Sequence, residues 1–366
     1  MRRIGAMILV MAMVLLTAAR LAAAPARKAP AKKPAAAPVR YLPSPPSKVT
    51  LCGEPMPLHD RMVAERLDRE FTIAVNDTAQ VVMWLKRAAR YFPYISRRLK
   101  AAGMPDDLKY LAVAESSLIT RIRSSAGAVG PWQFIAGTGR RYGLRRNRWF
   151  DDRLDPEKST AAALAYLKEL HQEFKSWSLA MAAYNCGERR VRREIKEQGT
   201  RDYYQLHLPL ETRRYIFRIA AAKIILSNPK RYGYHLPRRR LYAPVPSQVA
   251  RINLKRPVHL RDLARACGIS FHQLKELNPA IRGYYLPAGS HRLRVPPGKA
   301  AGLMSRLKRT KMAPPPKKAE WVVKPGDTLS LIAHRTGSSV RELRRANRLG
   351  GSHIFPGQRL VIPRKK

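Results

Sequence analysis

The stretch DDLKYLAVAESS, residues 106–117, decides how the region around it folds. Pro105 and the two acidic residues favour the start of a helix, where free amide groups and the helix dipole attract negative charge. Leu108, Leu111 and Ala112 recur at helical spacing, and Glu115 is the next member of that series. The spacing therefore predicts a helix that carries Glu115 on its buried face.

A glutamate on a buried helix face has unusual chemistry. Most glutamates are solvated charges, whereas burial raises the pKa of a carboxyl and keeps it protonated near neutral pH. A general acid needs that protonated state. Glu115 is therefore the candidate catalytic residue.

Two later segments carry groups suited to a sugar site. The glycine-rich segment SSAGAVG, residues 124–130, lets a ligand approach the backbone closely, and PWQF at 131–134 predicts a helix with proline at its first position. The segment AAYNCG, residues 182–187, predicts an apolar helix that ends at a glycine. An aromatic ring, side-chain amides and one buried carboxyl together indicate carbohydrate chemistry.

These motifs resemble the lytic transglycosylase domain of the soluble lytic transglycosylase type, within the goose-lysozyme-like superfamily. Glu-Ser at 115–116 is followed by Ser-x-x-Gly-Ala-x-Gly-x-x-Gln at 124–133 and by Ala-Tyr-Asn at 183–185. Residues 91–237 most resemble the membrane-bound lytic murein transglycosylase D group. The segments that carry this closer resemblance are GPWQFI (130–135), TGRRYGL (138–144), DP (155–156) with STAAAL (159–164), AYNCGE (183–188) and LETRRY (210–215).

The resemblance implies a mainly α fold, with a lysozyme-like helical catalytic domain and one glutamate that acts twice. Glu115 would protonate the glycosidic oxygen between N-acetylmuramic acid and N-acetylglucosamine, then accept the proton of the C6 hydroxyl as a 1,6-anhydro ring closes. Each of four residues also has a structural alternative. Ser124 could form a turn, Ser116 could bond within its own helix, and Trp132 and Tyr215 could lie in the core. The resemblance implies that the substrate-binding residues are Ser116, Ser124, Gly127, Gln133, Tyr184, Asn185 and Tyr215.

Hydrolysis of a glycosidic bond normally needs two carboxyls, and no second one stands out beside Glu115. Asp151, Asp152 and Asp155 are the candidates, but we expect Asp155 to cap a helix and the other two to be loop charges. A muramidase with a second carboxylate and a non-catalytic wall-binding scaffold are the alternative functions.

The charge balance favours an acidic partner without identifying it. The 366 residues, enough for two or three domains, include 71 Lys plus Arg against 25 Asp plus Glu, a net charge of +46. The basic residues are spread along the chain and no nucleic-acid-binding fingerprint occurs, so no specific nucleic acid is expected. A wall rich in peptide carboxylates and a generally basic source proteome both fit this charge. A secreted polyanion-binding protein would rest on the charge alone.

The three cysteines lack Cys-x-x-Cys spacing, which argues against a disulfide framework or a zinc site, although one pair could bridge. We expect no metal and no cofactor. The predicted partners are peptidoglycan glycan strands, with wall-synthesis or division proteins as further candidates, and the expected state is a monomer.

The N-terminal part has the pattern of an exported protein. Residues 1–26 resemble a signal peptide, with an uncleaved anchor as the alternative, and residues 27–50 form an Ala-, Pro- and Lys-rich disordered linker. No lipobox cysteine precedes Cys52, so a periplasmic location is expected rather than lipid anchoring. Residues 51–90 predict a helical extension, in which a helix from Thr78 to Leu99 is broken at Pro93.

The C-terminal third contains two copies of one small unit at an offset of 69 residues. Residues 320–364 resemble a lysin motif with strand, helix, helix and strand, in which Asp327 or Thr328 caps the first helix. Residues 250–298 are a degenerate copy, with Val258 and His259 in place of the capping pair, and whether they bind sugar stays open. Residues 299–319 form the linker between the copies. The expected glycan-binding residues are Gly326, Asp327, Thr328, Leu329, Asn347 and Pro356.

Overall fold

The computed structural model describes residues 43–310, 312, 319–336 and 338–362. The predicted signal peptide and most of the predicted linker at 27–50 lie outside the described residues. Within the described ranges the chain has thirteen α-helices and eight short strands, which confirms the mainly α prediction. None of the helices in these ranges has the length and apolar character needed to cross a membrane.

The first eight helices build one folded region around a single apolar core. That core takes residues from Val49 to Tyr234, and the helix at 210–227 lies at its centre because most of its side chains are apolar and fully buried. A short antiparallel hairpin of β1 (Thr50–Leu51) and β2 (Glu54–Pro55) precedes the helices. The helices are α1 (Arg61–Asn76), α2 (Thr78–Ala101), α3 (Lys109–Ser116), α4 (Ala136–Arg141), α5 (Pro156–Phe174), α6 (Trp177–Cys186), α7 (Glu188–Gln198) and α8 (Leu210–Ser227).

Helix ends that carry capping residues lie where the sequence predicts them. Asp155 caps α5, because its carboxylate accepts hydrogen bonds from the amides of Glu157 at 2.9 Å and Lys158 at 3.1 Å. Helix α6 ends at Gly187, and α8 begins directly after Pro209. Local capping chemistry is therefore enough to locate these three ends.

Two predicted features of this region are wrong. Helix α2 continues through Pro93 to Ala101, so the predicted domain boundary at residue 91 lies inside a helix. Buried side chains on both sides of the proline, among them Ala88 and Ile95, hold the helix in the core despite the lost backbone bond. This packing outweighs the local effect of one proline.

Residues 131–134 form a turn and not a helix start. Val129 pairs with Phe134 as an isolated β-bridge, and the amide of Val129 donates to the Phe134 carbonyl at 3.1 Å. Gln133 adopts a left-handed backbone with φ of +46° to reverse the chain. Helix α4 begins only at Ala136, because this pairing uses the backbone that a helix would need.

The degenerate repeat folds as predicted but extends further along the chain. Strand β3 (Gln248–Leu254) pairs antiparallel with β6 (Gly289–Val295), and β4 (Val258–His259) pairs with β5 (Tyr285–Leu286). Between them lie α9 (Leu260–Cys267) and α10 (Phe271–Leu277). A further helix, α11 (Leu303–Arg309), buries Leu303 and Leu307 in the same core. The predicted linker at 299–319 is therefore partly wrong, because its first half belongs to this module.

The second repeat has the predicted strand, helix, helix, strand order. Strand β7 (Ala319–Val322) pairs antiparallel with β8 (Arg359–Ile362), and α12 (Leu329–Thr336) and α13 (Val340–Asn347) lie between them. Thr328 caps α12, because its hydroxyl accepts from the amide of Leu331 at 3.1 Å. In the first repeat His259 does the same for α9, with Nδ1 accepting from the amide of Arg261 at 2.9 Å. A histidine thus replaces the capping threonine.

A loop of the first region inserts into the core of the first repeat. The Phe150 side chain is buried among that repeat's apolar residues, and Phe150 pairs with Ile281 as a β-bridge. The amide of Asp151 donates to the Ala280 carbonyl at 2.8 Å, and Arg294 lies 2.6 Å from Glu157 of α5. The first repeat is therefore docked on the helical region through both backbone and side-chain contacts.

Cys52, Cys186 and Cys267 are all free thiols. The disulfide that the sequence left open is therefore absent. Burial raises the pKa of each thiol, as expected for cysteines that serve as small apolar side chains.

Candidate active site

Glu115 lies in the last turn of α3, at a point where the backbone is firmly held. Ser117 follows the helix in a left-handed conformation with φ of +52°. Trp84 Nε1 donates to the Ser117 hydroxyl at 3.0 Å, and Arg87 donates to the Ser117 carbonyl at 3.1 Å. These bonds from α2 fix the position from which Glu115 projects.

Burial and one hydroxyl donor control the charge of Glu115. The Tyr215 hydroxyl, which comes from the buried face of α8, donates a hydrogen bond to Glu115 Oε1. Burial raises the pKa of Glu115 to about 7, although the Tyr215 bond and the charge of Arg218 lower it and the charge of Glu211 adds to the rise. Both protonation states are populated near neutral pH, so one carboxyl can give and then take a proton.

Tyr184 lies beside Glu115 and is already engaged. Its hydroxyl donates to the Trp132 carbonyl at 2.7 Å, and its ring packs edge-on against Phe134. Burial, followed by the negative charge of Glu115, raises the pKa of Tyr184 far above its usual value. Tyr184 therefore stays neutral and holds the 131–134 turn against the site.

Asn185 is oriented by a residue that sequence reasoning missed. The hydroxyl of Thr212, a buried residue of α8, donates to Asn185 Oδ1 at 2.8 Å. This bond fixes the amide, and among the described residues no protein group accepts from its Nδ2 atom. Thr212 lies in the segment LETRRY, but nothing in the sequence pairs it with a residue 27 positions away.

Ser116 is buried, and backbone carbonyls occupy its hydroxyl. Its side chain is only 4% exposed, and its hydroxyl lies 3.1 Å from the Ala112 carbonyl and 2.8 Å from the Pro131 carbonyl. The bond to Ala112 agrees with the structural alternative for Ser116, a bond within its own helix. The residue joins the end of α3 to the 131–134 turn and so positions Glu115.

The glycine-rich loop is a turn closed by Ser124. The Ser124 hydroxyl accepts from the amide of Ala128 at 3.1 Å, which agrees with the structural alternative for this serine. Gln133 Nε2 donates to the Gly130 carbonyl at 2.8 Å, so the amide braces the loop at its other end. Trp132 is fully buried and donates to the Thr160 hydroxyl at 2.9 Å, which assigns it to the core.

Arg153 holds this loop and was not predicted. It is 1% exposed, and two of its nitrogens donate to Asp151 at 2.8 and 2.7 Å. A third nitrogen donates to the carbonyls of Gly127 at 3.2 Å and Phe134 at 3.0 Å. The only available signal was an arginine between acids in the segment DDRLD.

The candidate second carboxylates are all committed to structure. Asp151 pairs with Arg153, and Asp155 caps α5. Asp152 pairs with Arg145 and Lys158 at 2.8 Å each. Burial raises the pKa of Asp152, but the hydrogen bonds from its two partners hold it below the usual range. Asp151 and Asp152 are 3% and 2% exposed, so the expectation of loop charges is wrong, while the structural assignment is supported.

The residues expected to bind glycan in the second repeat fall into two groups. Leu329 is 2% exposed, and Asn347 donates to the carbonyls of Leu343 and Val361 at 2.8 Å, so both side chains hold the fold. Asp327 accepts from Trp321 Nε1 at 2.7 Å. Gly326, Thr328 and Pro356 lie exposed on the loops that precede α12 and β8.

The part of the chain that the structure describes contains no group of three or more His, Cys, Asp or Glu side chains that could hold a metal ion.

Three family models match consecutive parts of the chain. The Transglycosylase SLT domain matches residues 93–207, which include Glu115, Gln133 and Asn185. A domain described as the LysM-like domain of lytic transglycosylase MltD matches residues 248–311, and the LysM domain matches residues 322–363. The middle match includes α11, in agreement with the boundary that the structure gives.

Two curated proteins are similar to this chain in sequence. The chain is 37% identical over 292 residues to membrane-bound lytic murein transglycosylase D of Escherichia coli strain K12, which covers 75% of this chain. It spans 64% of that relative's length. It is 33% identical over 117 residues to a putative tributyltin chloride resistance protein of Alteromonas sp. strain M-1, which covers 31% of this chain and 56% of that one.

Among solved structures, an inactive mutant of lytic transglycosylase Slt from Pseudomonas aeruginosa aligns with 22% identity and a TM-score of 0.30. The alignment covers 41% of this chain and 26% of that one. Consecutive segments of the chain thus match a transglycosylase SLT domain, a LysM-like domain of the MltD type and a LysM domain, and the segments are named accordingly.

Proposed function

We propose that this protein is a peptidoglycan lytic transglycosylase that cleaves the β-1,4 bond between N-acetylmuramic acid and N-acetylglucosamine without consuming water. The observation that carries the proposal is Glu115, a half-buried carboxyl whose pKa is raised by desolvation to about 7 and which accepts a hydrogen bond from Tyr215 inside the SLT domain. Such a group is protonated often enough to act as an acid and ionised readily enough to act as a base.

The proposed reaction returns the proton to the residue that gave it. Protonated Glu115 donates to the glycosidic oxygen as the bond from that oxygen to C1 of the muramoyl residue breaks. The resulting carboxylate then accepts the proton of the C6 hydroxyl while the C6 oxygen bonds to C1. The products are a 1,6-anhydromuramoyl end and a free N-acetylglucosamine hydroxyl, and the Tyr215 hydrogen bond stabilises the carboxylate between the two steps.

The positive charge that develops at C1 needs stabilisation, and the substrate's N-acetyl group is the proposed source. Asn185 is the better candidate to orient that group, because Thr212 fixes its amide and leaves Nδ2 available as a donor. Tyr184 is less suited, since its hydroxyl already donates to the Trp132 carbonyl. Gly127 and the loop around Ser124 and Gln133 are proposed to contact the glycan through their backbone and exposed atoms.

The alternative functions are less well supported. A muramidase needs a second carboxylate, and the three candidates considered, Asp151, Asp152 and Asp155, are occupied by ion pairs or a helix cap. A non-catalytic scaffold has no use for a half-buried carboxyl with a pKa near neutrality.

The exposed loops of the LysM domain are proposed to bind N-acetylglucosamine chains through Gly326, Asp327, Thr328 and Pro356. Deleting residues 320–366 is expected to weaken binding to insoluble wall while soluble fragments are still cleaved. Equal loss of both would contradict an independent binding module.

An envelope location is proposed with this function, on the pattern of residues 1–26 and on the name of the relative in Escherichia coli, which is membrane-bound. Glycan strands are the proposed binding partner.

The direct test is the release of soluble muropeptides from purified peptidoglycan by the protein and by Glu115→Gln. We expect the variant to fold normally and to lose more than about nine tenths of the activity, in line with the loss of a general acid. A variant that retained a larger share would remove Glu115 from the catalytic role.

A further inference from the structure

A pocket rich in arginine lies between α1 and α8. Residues of α1 and α8 line it, and its volume of about 290 Å³ suits a side-chain-sized group. Glu70 of this pocket lies 3.6 Å from Arg218, whose charge acts on Glu115, so one ion pair links the pocket to the site. The pocket is lined by Arg66, Arg69, Glu70, Leu210, Arg213, Arg214 and Phe217.

The charges in this pocket do not balance. Its lining holds four arginines and one glutamate, which gives 4 − 1 = +3. Glu70 is 5% exposed and is shared, since it pairs with Arg69 and lies 2.7 Å from Arg214 and 3.6 Å from Arg218. One buried carboxylate thus pairs with three guanidinium groups. The lining holds no further carboxylate for the remaining arginines.

Arg66 and Arg213 are the two arginines left over. Neither makes an ion pair with any residue that the structure describes. Arg213 Nε is buried and has no hydrogen-bond partner among the described residues. A buried donor without an acceptor carries a desolvation cost of about 1–3 kcal/mol, which a bound anion would remove. Two free guanidinium groups facing one pocket are a built site for a carboxylate or phosphate.

We propose that this pocket binds a free carboxylate of the peptide stem that hangs from the muramoyl residue next to the cleaved bond. The proposal rests on the proposed function and names what that function leaves open, the part of the substrate that is read beyond the sugar chain. Stem peptides carry several free carboxylates along an otherwise small, apolar backbone, and Leu210, which is 63% exposed, offers an apolar surface at the pocket. Guanidinium groups suit planar carboxylates, because both can form paired hydrogen bonds.

The first test compares two forms of one substrate. Soluble glycan strands with intact stems and the same strands stripped of stems by an amidase are digested by the wild type, Arg66→Gln and Arg213→Gln. We expect Arg66→Gln to raise KM for stem-bearing strands by about tenfold and to leave cleavage of stripped strands unchanged. Arg97→Gln removes the same charge from an exposed position on α2 and is expected to change neither substrate.

Equal losses on both substrates, or no change on either, would overturn the pocket as a stem site. Arg66→Gln is the decisive variant because the Arg66 side chain makes no hydrogen bond or ion pair with the residues that the structure describes, so its removal breaks no contact that holds α8. Arg213→Gln should reproduce its effect provided that thermal unfolding shows an intact fold.

The second test measures binding without catalysis and separates the two sources of an anion. Calorimetry in the Glu115→Gln background compares the tripeptide L-alanyl-γ-D-glutamyl-meso-diaminopimelate with inorganic phosphate. We expect the tripeptide to bind and Arg66→Gln to abolish that binding; tighter binding of phosphate would overturn the assignment to a stem peptide. A protein that binds the tripeptide through Arg66 but cleaves neither strand would contradict the proposed function and support the pocket.

Discussion

The pKa of Glu115 is the balance of two opposed effects at one carboxyl. Burial favours the neutral form, and the hydroxyl of Tyr215 favours the ionised form. Glu211 and Arg218, one turn away from Tyr215 on either side, act on this pKa in opposite directions, since Glu211 raises it and Arg218 lowers it. The result is a carboxyl that titrates near pH 7.

The raised pKa of Glu115 predicts how the free energy of unfolding changes with pH. The carboxyl has a pKa of about 7 in the folded protein and 4.5 as the reference value, so its folded state keeps the proton longer. Below pH 4.5 the group is neutral in both states, and stability is lost as the pH rises from there through 7. Glu115→Gln lacks this loss, so we expect it to be more stable than the wild type by about 1–3 kcal/mol at pH 8, and equally stable at pH 4.

Urea unfolding at the two pH values measures this difference. Glu65→Gln serves as the control, because Glu65 is 62% exposed and should change stability little at either pH. A Glu115→Gln variant that gains nothing at pH 8 would mean that the carboxyl is not held in its neutral form.

Tyr215→Phe tests the opposing effect. Loss of the hydroxyl removes a hydrogen bond that lowers the pKa of Glu115, so we expect the alkaline limb of the pH profile of kcat/KM to move to higher pH. Tyr234→Phe is the matched control, since its buried hydroxyl bonds to the Val75 carbonyl at 2.6 Å, away from Glu115. An unshifted limb in Tyr215→Phe would separate that hydroxyl from the titrating group.

At the scale of residues, the sequence predicts what local spacing controls. Glu115 follows from helical periodicity because its burial depends on neighbours three and four positions away. The bonds from Tyr215 to Glu115 and from Thr212 to Asn185 cross 100 and 27 positions and depend on how α8 packs. The second bond of Ser116, to the Pro131 carbonyl, could not be predicted for the same reason, since it exists only after folding.

The loop between α3 and α4 depends on one glycine more than on the others. Gly130 has φ of +87°, and a Cβ atom there would lie 2.0 Å from the Arg153 carbonyl oxygen. This close approach is what brings the loop next to the arginine that holds it. The glycine-rich pattern therefore serves backbone packing at this position.

Gly130→Ala is accordingly expected to destabilise the protein by about 2 kcal/mol or more and to reduce activity, because the chain around Gln133 must shift. Gly137→Ala is the matched control, since Gly137 lies in α4 with no atom near its Cβ position, and alanine favours a helix there by about 0.5–1 kcal/mol. Thermal unfolding of both variants distinguishes them; similar midpoints would show that the loop tolerates a side chain at residue 130.

At the scale of elements, capping residues and Pro209 located three helix ends, whereas two other prolines misled the prediction. Asp155, Gly187 and Pro209 mark helix ends through bonds to adjacent residues. Pro93 and Pro131 misled the prediction, because core packing carries α2 through the first and a β-bridge occupies the backbone after the second.

At the scale of the whole molecule, Phe150 joins the SLT domain to the LysM-like domain. This side chain leaves the SLT domain and enters the core of the LysM-like domain, and the residues directly after it, Asp151 and Arg153, hold the active-site loop. The LysM-like domain is therefore part of the scaffold of the site, whatever its affinity for sugar.

Phe150→Ala should consequently destabilise the LysM-like domain by about 3 kcal/mol and also lower catalytic activity. Phe355→Ala, at a residue 70% exposed in the LysM domain, is expected to do neither. Limited proteolysis between residues 237 and 248, together with muropeptide release, measures both effects. Full activity in a Phe150→Ala variant that is readily cut would contradict the proposed coupling.

At this scale the repeat was visible in the sequence and its docking was not. Asn278 and Asn347 are related by the 69-residue offset, and they make equivalent bonds across their modules, to Arg294 and Val361 respectively. Helix α11 was missed because its two buried leucines lie in a lysine-rich stretch. The insertion of Phe150 has no local signal, since a single aromatic residue in a loop is common.

The most direct test of the account is mass spectrometry of the products formed when the protein digests peptidoglycan in heavy-oxygen water, with Glu115→Gln alongside. The account predicts 1,6-anhydromuropeptides without heavy oxygen, which are absent from the variant's digest. Reducing muropeptides that carry heavy oxygen would contradict it, because they would show that water attacks C1 and that a second carboxylate takes part.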